Sequence, residues 1–291
     1  MRAAPLDRLR AGVVATGAPL CLGLDPHPDQ LPDGLPPDVQ GIEAFARGLI
    51  EATAQHIVAV KLNAAYFEAL GPAGWASLER VRRDVPPGLV TVIDAKRGDI
   101  GPSAERYAAA LFGELDADAV TLSPYLGEDA IEPFMAWEDR LVYVLTRTSN
   151  PTAPRIQDLP VDGEPLHVHV ARWVADTWPG GRAGLVVGAT APGELAALRR
   201  SVPGPAFLIP GVGAQGGDLA AAARHCHGEW APGMVAVSRA IAGASRGSDW
   251  RGAAADAAGR FRADLEQAVL HSGSSAASAA NPAAAADSGG S

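Results

Sequence analysis

Short apolar runs, rich in β-branched residues and bounded by turn residues, recur along the chain. Eight are present, at residues 19–24, 57–62, 89–93, 119–122, 141–145, 184–188, 206–209 and 234–237. Runs of this length and composition are typical of buried parallel strands. Stretches of helical periodicity separate them, at residues 42–55, 75–85, 103–115, 167–177, 192–200 and 218–225. Strand–helix alternation repeated in this way predicts an α/β fold, a single-domain (β/α)8 TIM barrel.

The extent of the domain follows from where the composition changes. No linker interrupts the first 271 residues, and 47% of the side chains are hydrophobic, enough for one large core. We therefore expect residues 1–271 to form the barrel. Residues 272–291 are rich in Ala, Ser and Gly and have no apolar face, so we expect a disordered tail. The longest irregular segment of the domain, 148–163, has the length of a lid.

Charge and composition restrict the partners. The formal net charge is −9 and no basic run is present, which argues against nucleic acid and anionic membranes as partners. No apolar run approaches the ~18 residues of a transmembrane helix. The arginine-containing N-terminus resembles a signal peptide only weakly, because Asp7 and Pro19 interrupt it. We expect a cytoplasmic protein in which Cys21 and Cys226 are ordinary thiols and no metal is bound.

Polar residues are concentrated where the predicted strands end. In a barrel, the carboxyl ends of all strands meet at one mouth, and the active sites of such folds lie there. This convergence predicts a catalytic mouth built from Asp25, Lys61, Asp94, Lys96, Ser149, Gln215 and Arg239.

The most densely charged segment, "DAKRGD" at residues 94–99, follows the third predicted strand. Asp94 and Lys96 are two residues apart, so their side chains point to the same side, and Asp99 lies a turn further on. Lys61 ends the neighbouring strand, so cations and anions can alternate. Lys61 and Lys96 are the two lysines among 24 lysines and arginines, and a lysine can release a proton whereas an arginine in effect cannot. A structural ion-pair network is the alternative interpretation.

The segment "PGVGAQGGD" at residues 210–218 matches G-x-G-x-x-G, but it follows the seventh predicted strand and so does not fit a dinucleotide-binding unit. In barrels, the loops after strands seven and eight commonly bind phosphate through backbone N–H groups. Arg239, after the eighth strand, would complete such a site. A glycine-rich turn beside a surface arginine is the alternative.

The segment "TRTSNP", residues 146–151, follows the fifth predicted strand. Its Ser149 either contacts a ligand or belongs to an ordinary turn.

Eight segments, in this order, resemble the longer bacterial subgroup of the orotidine 5′-phosphate decarboxylase family: "CLGLDPHPDQLP", "VKLNAAYFEALG", "VIDAKRGDIG", "TLSPYLG", "TRTSNP", "VVGAT", "PGVGAQGGD" and "VSRAI". The resemblance spans roughly residues 18–243. It implies a homodimeric (β/α)8 enzyme that converts orotidine 5′-monophosphate (OMP) to UMP and CO2, in the last step of de novo UMP biosynthesis. It also implies that no metal or organic cofactor takes part.

The resemblance also assigns roles to individual residues by position. The charged catalytic row would be Lys61, Asp94, Lys96 and Asp99, with Asp99 reaching into the partner subunit's site. Lys96 would protonate C6 of the pyrimidine, and Asp94 would face the substrate carboxylate. The implied substrate contacts are Asp25 to the ribose, Ile100 on the pyrimidine, Ser149 at its polar edge, and Gln215 and Arg239 at the phosphate. The match is weaker at residues 101–103, where a polar side chain of the partner's loop is expected near the ribose.

Loss of CO2 from C6 leaves a carbanion whose lone pair lies in the ring plane, so electrostatic stabilisation must supply most of the catalysis.

Two other functions fit parts of the sequence. A magnesium-dependent sugar-phosphate decarboxylase of the same barrel superfamily would want an acidic residue at the end of the second strand, where Lys61 stands. A catalytically silent nucleotide-binding barrel would need the phosphate site but not the paired acids and lysines.

Overall fold

The structure is a computed structural model that describes residues 3–189, 192–213, 217–226 and 232–279, with side chains described up to residue 270. Eight parallel strands close into a barrel, which confirms the predicted fold. Each strand pairs with the next along the chain, and the last pairs with the first. The strands are β1 (Leu20–Leu24), β2 (Ala59–Asn63), β3 (Val90–Arg97), β4 (Ala119–Leu122), β5 (Leu141–Arg147), β6 (Ala183–Val187), β7 (Phe207–Pro210) and β8 (Met234–Val237).

Helices surround the barrel, and most of them bury apolar residues against it. They are α1 (Pro5–Thr16), α2 (Val39–Thr53), α3 (Ala64–Glu68), α4 (Gly71–Arg83), α5 (Gly101–Ala108), α6 (Glu132–Met135), α7 (Pro154–Gln157), α8 (Leu166–Thr177), α9 (Pro192–Ser201), α10 (Leu219–Arg224), α11 (Arg239–Ala242) and α12 (Trp250–Ala279). A π-helical segment, Ala109–Glu114, continues α5. Among the residues that the structure describes, no helix is both long enough and apolar enough to cross a membrane.

Two strands extend further toward the mouth than the apolar pattern predicted. Strand β3 continues to Arg97 and β5 to Arg147. Asp94 and Lys96 therefore lie within β3 rather than after it. Backbone pairing with the neighbouring strands continues into the charged residues, and a pattern of apolar residues carries no information about such pairing.

The segment between β5 and α8, which we expected to be irregular, contains short elements. Helix α7 lies in it, followed by a two-stranded antiparallel hairpin, Pro160–Val161 with Glu164–Pro165. The Arg147 guanidinium, at the end of β5, pairs with Asp158 and Glu194, at 3.3 and 2.7 Å. The contact with Asp158 ties the segment to the barrel rim, and the contact with Glu194 ties α9 to it.

Helix α1, which the sequence did not predict, covers the amino-terminal end of the barrel. Leu9 is fully buried and packs with the residues that fill the barrel interior. The Arg8 guanidinium donates to the Leu89 carbonyl oxygen at 2.8 Å and pairs with the buried Asp118. The carboxyl end of the barrel is the end that carries the polar residues.

The last helix differs from the expected domain boundary. Helix α12 runs to Ala279, whereas we expected the ordered domain to end at residue 271. Alanine has the highest helix propensity, and extending an established helix is far easier than starting one. The helix therefore continues into the Ala/Ser segment. The rest of the predicted tail, 280–291, lies outside the described residues.

Candidate active site

A cavity of about 490 Å³ lies at the mouth formed by the carboxyl ends of the strands. Six of the nine predicted site residues line it: Asp25, Lys61, Asp94, Lys96, Ser149 and Arg239. Asp99 and Ile100 follow the end of β3 and are not among the lining residues in the described part of the chain. Gln215 lies outside the described residues.

Four charged side chains form an alternating row on one wall of the cavity. The Lys61 ammonium lies 2.8 Å from Asp94 Oδ2 and 3.8 Å from Asp25 Oδ1. The Lys96 ammonium lies 2.5 Å from Asp94 Oδ1. The order is therefore Asp25, Lys61, Asp94, Lys96, with each charge next to one of opposite sign. Asp99, the fourth residue of the predicted catalytic row, is not in contact with this row in the described chain; its Oδ1 accepts the neighbouring Ile100 N–H at 2.8 Å.

Burial and charge compete to set the ionisation of the two innermost groups. Lys61 is 5% exposed and Asp94 is 9% exposed. Burial lowers the pKa of Lys61, but the charges of Asp94 and Asp25 raise it, and its pKa lies above the ordinary value. Burial raises the pKa of Asp94, but the charges of Lys61 and Lys96 lower it, and its pKa lies well below the ordinary value. Both groups are therefore charged at neutral pH.

Lys96 differs from Lys61 in its exposure. Its side chain is 49% exposed, and its ammonium is held by Asp94 at the surface of the cavity. A ligand in the cavity can therefore approach the Lys96 ammonium, whereas Lys61 is enclosed by its two carboxylate partners.

Two neutral side chains that the sequence analysis did not single out complete this wall. Asn63 donates through Nδ2 to Asp25 Oδ1 at 3.0 Å. The Thr121 hydroxyl donates to Asp94 Oδ1 at 2.9 Å. Asn63 lies two residues after Lys61 on β2, so the alternation of side chains along a strand was the signal that pointed to it.

The opposite wall is built from the segment that follows β5. Ser149 and Asn150 line the cavity together with Gln157 of α7. The Gln157 amide donates to the Thr148 hydroxyl at 2.8 Å and accepts the Thr148 N–H at 2.9 Å. Gln157 therefore fixes the start of this segment, and it was missed in the sequence because it lies inside a stretch expected to be irregular.

Gly188, directly after β6, allows Ser149 to lie against the barrel. A Cβ at Gly188 would be 3.0 Å from both the backbone nitrogen and the Cβ of Ser149. Contacts that short are tighter than ordinary van der Waals packing, so a side chain at this position would displace Ser149.

The loops after β7 and β8 form the third side of the cavity. Arg239, the first residue of α11, lines it with Ser238, Gly211 and Val212. Gly211 and Gly213 have φ of 96° and 80°, the left-handed region in which glycine is favoured. Two glycines of the predicted phosphate loop, Gly211 and Gly213, therefore have a backbone conformation that favours glycine, and Gly216 lies outside the described residues. In the described ranges, no group of three or more His, Cys, Asp or Glu side chains is arranged to hold a metal ion.

The sequence and fold match one family over most of the chain. Residues 18–254 match the model described as the orotidine 5′-phosphate decarboxylase / HUMPS family. A relative from Roseiflexus castenholzii, named orotidine 5′-phosphate decarboxylase, is 48% identical over 255 residues that cover 86% of this chain and 93% of the relative. A relative of the same name from Herpetosiphon aurantiacus is 43% identical over 272 residues, which are 91% of this chain and 99% of the relative.

A solved structure supports the same conclusion. The structure of Leishmania donovani OMP decarboxylase is 36% identical and superposes with a TM-score of 0.78, over 91% of this chain and 99% of that chain. This chain thus shares its overall sequence similarity and its fold with these proteins, which confirms the resemblance stated from the sequence. The chain belongs to the orotidine 5′-phosphate decarboxylase / HUMPS family.

Proposed function

We propose that this protein is a carboxy-lyase that converts OMP to UMP and CO2, the last step of de novo UMP biosynthesis. The observation that carries the proposal is the alternating row of Asp25, Lys61, Asp94 and Lys96 on one wall of the cavity. The membership of the family and the names of the relatives support the same reaction.

In the proposed reaction, the bond between C6 and the carboxylate carbon breaks and its electron pair stays on C6. The Lys96 ammonium then donates a proton to C6, so that UMP and CO2 are formed. Lys96 suits this role because its charge stabilises the developing carbanion and its ammonium is accessible from the cavity. An arginine would supply the charge but in effect not the proton.

Asp94 is proposed to face the substrate carboxylate. Its two lysine partners keep it ionised, so the bound substrate places a second negative charge beside it. At an effective dielectric constant near 20, like charges about 4 Å apart repel by about 4 kcal/mol. Departure of CO2 relieves this repulsion, so the interaction favours the transition state over the bound substrate.

One carboxylate and one lysine do not supply the whole rate enhancement. Very slow reactions call for on the order of 20 kcal/mol of barrier reduction. We infer that much of the remainder comes from binding the phosphate at Arg239 and Gln215, with the energy of that contact used to close the site. Asp25 would bind the ribose, Ser149 the polar edge of the pyrimidine, and Ile100 the pyrimidine face.

We further propose that the enzyme is a homodimer in which Asp99 completes the partner subunit's site. Asp99 is not part of the charged row of its own chain, and the loops that follow the neighbouring strands β3 and β4 carry exposed apolar side chains. Ile100, Tyr125 and Leu126 are 49%, 85% and 47% exposed. Exposed apolar and aromatic side chains are typical of a subunit interface.

A further proposal concerns the cellular location of the enzyme and the macromolecules that it does not bind. Because the substrate is a free nucleotide and the chain carries a net charge of −9, we propose a cytoplasmic enzyme that binds neither nucleic acid nor membranes. A magnesium-dependent reaction on a sugar phosphate is disfavoured because Lys61 places an ammonium 2.8 Å from Asp94 and 3.8 Å from Asp25, among the carboxylates that a metal would use.

The test is the ultraviolet absorbance change when EDTA-treated protein meets OMP. Conversion to UMP that persists without metal supports the proposal. Conversion that requires added magnesium, or no conversion of OMP, would refute it and would favour a sugar-phosphate substrate.

The dimer has its own test, which mixes inactive Lys96→Ala protein with inactive Asp99→Ala protein. If sites are shared, random subunit exchange in a two-fold symmetric dimer regains about a quarter of the wild-type activity. No recovery after complete exchange would show that Asp99 does not complete the partner subunit's site.

A further inference from the structure

Strand β3 departs from a regular parallel ladder where it carries its charged residues. Its register with β4 is regular up to the pair Ile93–Val120 and resumes at the pair Arg97–Leu122. Between these pairs, three residues of β3 lie opposite Thr121 alone. Extra residues on one strand bend it and leave backbone groups without their usual partners on the neighbouring strand.

Lys96 is one of these extra residues, and its backbone conformation is unusual. Its φ of 48° lies in the left-handed region, which is unfavourable for a residue that has a Cβ. Its backbone N–H donates to Thr121 Oγ1 at 3.0 Å. The Thr121 hydroxyl therefore replaces the backbone acceptor that a regular ladder would have offered.

The same hydroxyl also contacts the carboxylate that holds the Lys96 ammonium. Thr121 Oγ1 donates to Asp94 Oδ1 at 2.9 Å, and that oxygen accepts from Lys96 Nζ at 2.5 Å. The three residues thus form a closed ring of hydrogen bonds, from the Lys96 N–H through Thr121 and Asp94 to the Lys96 ammonium. The ring fixes both ends of the Lys96 side chain.

A hydroxyl is the group that this ring requires. It must accept from a backbone N–H and donate to a carboxylate at once, and a hydroxyl does both with a single oxygen. Thr121 is 1% exposed and Asp94 is 9% exposed, so little bulk water reaches the hydroxyl or the carboxylate to substitute for their contact.

We propose that Thr121 is a positioning residue for the decarboxylation, an inference that rests on the proposed function. It stabilises the left-handed backbone of Lys96 and orients Asp94, so that the Lys96 ammonium is held where C6 of the substrate must meet it. Thr121 itself forms and breaks no bond in the reaction.

The test compares kcat and KM for OMP in Thr121→Val and Thr121→Ser. Valine keeps the shape and removes the hydroxyl, so we expect kcat to fall roughly thirtyfold while KM stays close to the wild-type value. Serine keeps the hydroxyl and should restore kcat to within about threefold of wild type. If Thr121 served folding alone, Thr121→Val would lower the yield or the melting temperature, but the folded protein would keep the wild-type kcat.

Thr91→Val is the matched control. Thr91, on β3, is a buried strand threonine like Thr121 on β4, but its hydroxyl oxygen has no hydrogen-bond partner in the described part of the chain. Its substitution should leave kcat unchanged. If Thr121→Val does not fold, Thr121→Ala takes its place in the same comparison.

The outcomes separate this inference from the function on which it rests. A wild-type kcat in Thr121→Val, or an equally low kcat in Thr121→Ser, would overturn the positioning role while the wild-type protein still converts OMP. Absence of conversion by the wild-type protein would refute the proposed function and this inference with it.

Discussion

The Lys61 ammonium lies 2.8 Å from Asp94 Oδ2 inside the barrel mouth, and both residues are less than a tenth exposed. Each charge is compensated by the other, because burial alone would disfavour both. The position of the Lys96 ammonium depends on this pair, since Asp94 uses its second carboxylate oxygen to hold it.

Removing Lys61 should therefore destabilise the fold. In Lys61→Met, Asp94 keeps a single cationic partner and Asp25 loses its nearest cation, so we expect a loss of about 3 kcal/mol in the free energy of unfolding. Lys96→Met is the matched control: its side chain is half exposed, and we expect a loss of less than about 1 kcal/mol. Urea unfolding at pH 7 measures both. Equal losses in the two variants would contradict the claim that the buried ion pair of Lys61 stabilises the fold more than the exposed ion pair of Lys96.

Arg239→Ala tests the phosphate contact. We expect kcat/KM for OMP to fall roughly a hundredfold, the effect of losing a charged, bidentate hydrogen bond. With orotidine, which has no phosphate, Arg239→Ala and wild type should have equal kcat/KM. Arg246→Ala removes the same charge from an exposed residue that does not line the cavity, and it should behave as wild type. An equal loss on orotidine would rule out the phosphate as the group that Arg239 binds.

Gly188→Ala tests the placement of Ser149. The added methyl would lie 3.0 Å from the Ser149 backbone nitrogen and Cβ, so Ser149 must move and KM for OMP should rise about tenfold. Gly193→Ala is the control, because a Cβ there meets no heavy atom within 4 Å in the described structure and the position is helical. Steady-state kinetics on both variants checks this. An unchanged KM in Gly188→Ala would show that Ser149 does not contribute to substrate binding.

The depressed pKa of Asp94 predicts how stability depends on pH. In the unfolded chain its carboxyl has an ordinary pKa near 4, so below about pH 4 the unfolded state binds the proton more readily than the folded state. The contribution of Asp94 is therefore fully present above about pH 5 and is lost as the pH falls through the lower folded pKa. Urea unfolding of wild type and Asp94→Asn between pH 3 and 7 should give a stability difference that shrinks toward pH 3. A constant difference would contradict a lowered pKa.

The barrel could be predicted because the pattern that marks each strand lies within a few consecutive residues. Eight short β-branched runs recur, and the carboxyl ends of parallel strands necessarily meet, so six of the nine predicted residues line one cavity. Helix α1 was missed although Leu6, Leu9 and Val13 have helical spacing, because the same arginine-containing apolar stretch also resembles a signal peptide. Its role depends on Leu9 and Arg8 fitting the barrel floor, which is a tertiary contact.

The remaining features of the site depend on contacts between residues that are far apart in the sequence. Thr121 and Asn63 are neutral residues, so no charge pattern marks them. The carboxylate partner of Thr121, Asp94, lies on β3, and the partner of Asn63, Asp25, directly follows β1. The extra residues in β3 follow from its register with β4, which no local pattern encodes. Gly188 is required only because Ser149 approaches it, a contact between the ends of β5 and β6.

The most direct test of the proposed chemistry is kcat for OMP in Lys96→Ala and Lys96→Arg beside the wild type, with folding of each verified by its melting temperature. We predict that both variants lose kcat by at least about a thousandfold, because alanine removes charge and proton together and arginine keeps the charge but in effect does not release a proton. A Lys96→Arg protein that retains near wild-type kcat would contradict Lys96 as the proton donor to C6.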